Sequence, residues 1–110
     1  MAEFSFGEIV IVDFPFSDGV QSKPRPALVI TIDSDGDLLV ARITSNPPEP
    51  RFDVVLYDWY SSNLIFDSVV RVSKLATLLP SAVKKKIGKL SSKDRERVIA
   101  GLRDFVDSLK

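Results

Sequence analysis

As far as Leu79, apolar residues come in short β-branched runs separated by breakers; beyond that point they recur at spacings of three and four. Glu8-Ile9-Val10-Ile11-Val12-Asp13-Phe14, bounded by Gly7 and Pro15, suits a strand buried on both faces. Pro26 to Ile32 predicts a second strand. The turn chemistry of Asp33-Ser34-Asp35-Gly36-Asp37 folds it back on Leu38 to Thr44 as a hairpin. Phe52 to Tyr57 reads as a fourth strand, residues 58–67 as a turn carrying Trp59 and Tyr60, and Ser68 to Leu79 as a longer β-rich run stopped by Pro80. Lys84-Lys85-Lys86 and Gly88 read as a linker. Ser91, three residues before Asp94, has the spacing of a capping box, with Ser92 a competing cap, and predicts a helix from Ser92 to Leu109. Val98, Ile99, Leu102, Phe105, Val106 and Leu109 give this helix a stripe that covers a sheet. Arg95, Arg97, Arg103 and Asp104 face water, and Gly101 costs about 1 kcal/mol relative to Ala.

Five strands and a closing helix predict a small, strongly curved antiparallel sheet, either a partly closed barrel or a half-open sandwich. Two connections, 15–24 and 45–51, are too rich in breakers for regular structure, and loops of this kind often carry function.

The length of 110 residues fits one domain, residues 1–110, with room for a core without cross-links. Absence of Cys and His removes disulfides, thiolate chemistry, the usual nitrogen and sulfur metal ligands and the commonest general base. Catalysis therefore falls to carboxylates, hydroxyls, Lys or Arg, and no cofactor is expected. The acidic start and the lack of a long apolar run predict a soluble intracellular protein without a membrane partner. Fifteen basic and fifteen acidic residues balance, but unevenly: residues 1–70 hold four basic and eleven acidic side chains, and residues 71–110 eleven basic and four acidic. Pairing within the fold, plain solvation, or a basic face for an anionic partner would each account for this.

In Lys23-Pro24-Arg25-Pro26-Ala27-Leu28-Val29, two prolines restrict the backbone that carries Arg25 at the mouth of a strand. A guanidinium presented so rigidly suits bidentate phosphate binding; the plainer reading is a strand start with Arg25 paired to an exposed acid. Arg42-Ile43-Thr44-Ser45-Asn46 brings two hydroxyls and an amide to a strand end, which fits either phosphate binding or an ordinary turn. Asp33, Asp35 and Asp37 lack the spacing to a terminal Glu that a calcium loop needs and read as a solvated turn. Trp59 and Tyr60 stack on bases or cap the core, and Lys84 to Lys86 is solvated or touches phosphate or a partner.

Gly7-Glu8-Ile9-Val10 through Val12-Asp13-Phe14-Pro15, then Asp18-Gly19, Lys23-Pro24-Arg25-Pro26-Ala27-Leu28-Val29-Ile30 and Ile43-Thr44-Ser45, in this order and spacing, resemble the MazF/PemK toxins of prokaryotic toxin–antitoxin pairs. The resemblance runs from Gly7 to about Leu109, with its specific part in the first 45 residues. It implies a small SH3-like antiparallel barrel of the CcdB/MazF type with a C-terminal helix. It also implies a cytoplasmic homodimer that cleaves single-stranded RNA without a metal, is neutralised by a cognate antitoxin, and binds DNA together with that antitoxin. The family's catalytic arginine and threonine fall on Arg25 and Thr44. Lys23, Arg42, Ser45, Asn46, Arg71 and Lys74 are the expected RNA-binding residues. Three positions depart from the family pattern: Gln21 stands near the place of a loop glutamate, and Lys74 and Ala76 replace a glutamine and an arginine of the fifth strand. Two other functions remain open on sequence: a non-catalytic small-barrel binding module, and a toxin acting on a protein target such as DNA gyrase. Few phosphate contacts predict modest affinity, with a salt slope of about −0.7 per contact on a single strand.

Overall fold

A computed structural model describes residues 3–13, 23–46 and 51–109. The Phe14-Pro15 and Asp18-Gly19 motifs, Gln21, most of the 15–24 loop and Pro47 to Pro50 of the second loop lie outside the described residues.

Six strands form one antiparallel sheet: β1 (Glu8–Asp13), β2 (Pro24–Ile32), β3 (Leu38–Thr44), β4 (Asp53–Leu56), β5 (Ser68–Leu78) and β6 (Val83–Lys89), in the order β4-β5-β3-β2-β1-β6. The expected linker around Lys84 to Lys86 is thus the sixth strand. Lysines are well suited to an edge strand, where they discourage further pairing. Here Lys84 and Lys86 also meet Asp13 and Glu8 of β1 at 3.4 and 3.3 Å. Register shifts interrupt β1–β6 twice and β2–β3 and β3–β5 once each, and such bulges bend a sheet. The edges β4 and β6 are not paired with each other. A 3-10 turn, Tyr60–Ser62, bridges them: the Asn63 side-chain amide donates to the Ile87 carbonyl at 2.6 Å, and Gly88 passes so close to the Ser62 carbonyl that a Cβ there would collide with it.

Alternation along the strands sends side chains to two cores. Ile9, Leu28, Ala41, Ile43, Val70 and Val72 meet Val98 of the helix, whereas Val10, Val12, Ala27, Val29, Leu38 and Val40 fill the opposite face. The both-face burial expected of β1 is therefore observed.

Helix α1 spans Ser92–Asp107, ending two residues before the expected Leu109. Its stripe is used only in part: Val98 is buried and Phe105 meets the Phe52 ring edge-on at 5.1 Å, while Val106 and Leu109 stay exposed. Gly101 lies against Val54, where a Cβ would clash with the valine methyl, so its propensity cost accompanies close helix–sheet packing. Ser91 caps as expected, accepting from the Asp94 amide at 3.1 Å. The fully buried Asp94 carboxylate reaches away from the helix to accept from the backbone amides of Tyr57 and Asp58 at 3.1 and 2.9 Å. Arg97 donates to it at 2.7 Å and is half-buried instead of turned to water. Among the described residues, no helix is long and apolar enough to cross a membrane.

Candidate functional site

The site follows from strand pairing. Opposed residues of an antiparallel ladder share a face, and one rung runs Asp53, Arg71, Arg42, Ala27 across β4, β5, β3 and β2. Asp53 accepts from Arg71 Nε at 3.2 Å, with both side chains largely buried. Arg42, next on the rung, has its pKa lowered from the ordinary arginine value by burial first, then by the guanidiniums of Arg71 and Arg25. Counting two residues back from Ala27 and two on from Arg42 reaches Arg25 and Thr44. Both line one cleft of about 520 Å³.

Arg25, Arg42, Thr44, Ser45 and Asn46 line this cleft together, with Pro26 beside Arg25. Thr44 is nearly buried at the end of β3, and its Oγ1 accepts from the Asn46 amide at 3.2 Å, which leaves the hydroxyl proton and a second lone pair for the cleft. Arg71, expected at the site, does not line the cleft; it sits on β5 opposite Arg42 and Asp53. Lys23 is exposed just ahead of β2 and does not line the cleft, nor does Lys74. In the β3–β5 ladder Arg42 faces Arg71 and Ala41 faces Leu75, so Lys74 falls within the register shift.

Sequence reasoning left Lys85 undistinguished within the run Lys84 to Lys86, read as solvated or touching phosphate or a partner; it lines the cleft from β6 with Ile87, and the turn adds a wall, Asn63 to Phe66, that the sequence did not single out. Lys85 arrives because it pairs with Ile11, itself paired with Pro26. The weak clue was Val83 and Ile87, apolar on alternate positions around Lys85. Ile65 and Phe66, 81% and 66% exposed, give the wall an apolar lip. The cleft thus has three cationic lining residues and, among the described residues, no carboxylate. Its lining is cationic, with the hydroxyls of Thr44 and Ser45 at one end.

Outside it, Asp33 Oδ1 accepts from the amides of Asp35 and Asp37 at 3.0 and 3.2 Å, the turn expected of that segment. Trp59 packs on the core and meets Tyr60 edge-on at 5.8 Å, leaving Tyr60 exposed.

The model of the PemK-like, MazF-like toxins of type II toxin–antitoxin systems matches residues 5–106, and the chain belongs to that family. No curated protein matches it by sequence. Among solved structures, an endoribonuclease from a mycobacterial species superposes with a TM-score of 0.75 at 14% identity, over 97% of this chain and 94% of that one. The Mycobacterium tuberculosis toxin MazF-mt6 gives 0.73 at 21% identity, covering 91% and 96%. A mycobacterial endoribonuclease in complex with its cognate antitoxin gives 0.74 at 14% identity, covering 93% of each chain. At these identities the likeness is one of fold.

Proposed function

We propose that this chain is the toxin of a toxin–antitoxin pair and cleaves single-stranded RNA endonucleolytically, using the ribose 2′-OH as nucleophile and no metal. The products are a 2′,3′-cyclic phosphate and a 5′-OH end. The observation that carries the reading is the cleft with Arg25, Arg42 and Lys85 on its walls and Thr44 and Ser45 at one end. Because the nucleophile comes with the substrate, the protein has to hold the strand in line and stabilise charge on the phosphorane-like transition state. Arg25 contacts the nonbridging oxygens and Thr44, with Ser45 and Asn46, orients the phosphate. Arg42 adds charge at the same phosphate, and Arg71, tied to Asp53, lies opposite it on the neighbouring strand. Lys23 and Lys74, away from the described lining, meet flanking phosphates instead of the reacting one. The reading further includes a cytoplasmic homodimer and neutralisation by an antitoxin whose extended acidic and apolar segment competes for the groove. DNA binding belongs to the complex with that antitoxin. Similar structures include one solved with its cognate antitoxin, which supports the partner class.

The test is incubation of a long unstructured RNA with the protein in EDTA, followed by mapping of the ends. Specific cuts with cyclic phosphate ends are expected, falling by about 10²–10³-fold in Arg25→Ala and strongly in Thr44→Ala. Intact RNA in the presence of folded protein refutes the enzymatic reading.

A further inference from the structure

Beside the cationic cleft lies a second cavity, of about 420 Å³, which shares Ser45, Asn46 and Ser68 with it. Its lining is chemically opposite. Tyr57, Trp59 and Val55 supply aromatic and apolar surface, Asp67 supplies a carboxylate, and no cation lines it among the described residues. A phosphate in the first cavity is attracted; one in the second would face Asp67. A strand threading both would therefore place a phosphate in one and the adjoining base in the other.

Resting on the RNA-cleaving reading above, we propose that this second cavity is a nucleobase pocket selecting a base with an exocyclic amino group, with Tyr57 as its stacking platform and Asp67 as its reader.

Tyr57 is prepared for that role. Its ring is 62% exposed, yet the Arg97 guanidinium lies 4.3 Å from its centroid and covers one side. Arg97 is itself held by Asp94 at 2.7 Å, and the same carboxylate accepts from the Tyr57 amide. The ring is thus fixed from behind, with its other side left for a base, so little freedom is lost on stacking. Asp67 is exposed at the rim. An ionised carboxylate only accepts hydrogen bonds, so it pairs with the exocyclic amino group of cytosine, adenine or guanine, whereas uracil has none and presents its O4 acceptor. Ser68 Oγ already donates to the Phe66 carbonyl at 2.8 Å, which leaves it as a further acceptor toward the pocket.

The experiment measures binding by fluorescence anisotropy of short, uncleavable 2′-O-methyl oligonucleotides of cytosine, adenine or uracil, and of an abasic strand of equal length. The wild-type protein is expected to bind the cytosine and adenine strands roughly tenfold more tightly than uracil. Asp67→Asn should erase that preference, while any gain from the lost negative charge is shared by all four strands, the abasic one included. Tyr57→Ala should weaken every base-bearing strand by about tenfold and leave the abasic strand unaffected, while Tyr57→Phe restores binding. Both side chains are exposed, so these variants fold. A base preference unchanged in Asp67→Asn, or Tyr57→Ala weakening the abasic strand equally, overturns the pocket while the cleft stands. Failure of all four strands to bind overturns the underlying RNA reading as well.

Discussion

Replacing Asp94 by alanine removes a carboxylate that is fully buried at the third position of α1 and holds the turn after β4 against the helix. Two backbone amides, those of Tyr57 and Asp58, donate to it. Hydrogen bonds to a charged acceptor contribute about 1.5–3 kcal/mol each. Losing both leaves two amides without their acceptor, so Asp94→Ala should cost about 3–5 kcal/mol, a large part of the 5–15 kcal/mol typical of a domain. With a urea slope of about 1.5 kcal/mol per M, the midpoint falls by about 2–3 M at fixed protein concentration. Asp94→Asn keeps one acceptor oxygen and turns an N–H donor toward the other amide, for a loss of about 1.5–3 kcal/mol. Arg97→Ala removes the ion pair, whose arginine side chain is 37% exposed, and the guanidinium's contact with the Tyr57 ring, and should cost about 1–2 kcal/mol. The order Ala, Asn, then Arg97→Ala is the test. If Arg97→Ala matches Asp94→Ala, or if Asp94→Ala costs under about 1 kcal/mol, the amide clamp is not what joins turn to helix.

Arg42→Met relieves crowding with Arg71 and Arg25 and should change stability by less than about 1 kcal/mol. It should weaken binding to single-stranded oligonucleotides and reduce the slope of log affinity against log salt by about 0.7, measured by anisotropy titrations; an unchanged slope would remove Arg42 from the phosphate contacts. Gly88→Ala drives a methyl into the Ser62 carbonyl and should destabilise by about 1–3 kcal/mol in urea unfolding. Gly101→Ala, which helix propensity alone would favour by about 1 kcal/mol, should destabilise because of Val54, and Val54→Ala in the same chain should recover the loss.

Where residues near in sequence carry the structure, it was legible. The β2–β3 hairpin follows from two apolar runs around an Asp-Gly turn, and the helix from a cap and a three-four stripe. Arg25, Arg42 and Thr44 could be singled out because prolines restrict the first and a strand end presents the others. Lys85 could not be told apart from Lys84 and Lys86, because its place in the cleft depends on pairing with β1, far away in sequence. Lys74 looked equivalent to Arg71, but a register shift between their ladder positions sends only Arg71 to the rung with Arg42. Asp94 carried a local capping signal, which located the helix start correctly. The carboxylate's partners lie 36 and 37 positions earlier and left no mark in the local pattern.

Pairing of β6 with β1 also has a consequence for the order in which the molecule is made. Glu8 and Lys86, which meet across that pair, lie 78 positions apart, and contacts of such separation are slow to form because a long loop must close first. A chain synthesised only as far as β5 already contains the arginines and Thr44, but lacks Lys85 and Ile87 and carries most of the acidic excess. One wall of the cleft emerges late, so a polypeptide ending before Val83 would lack one of the three cations of its lining and leave an edge of β1 uncovered.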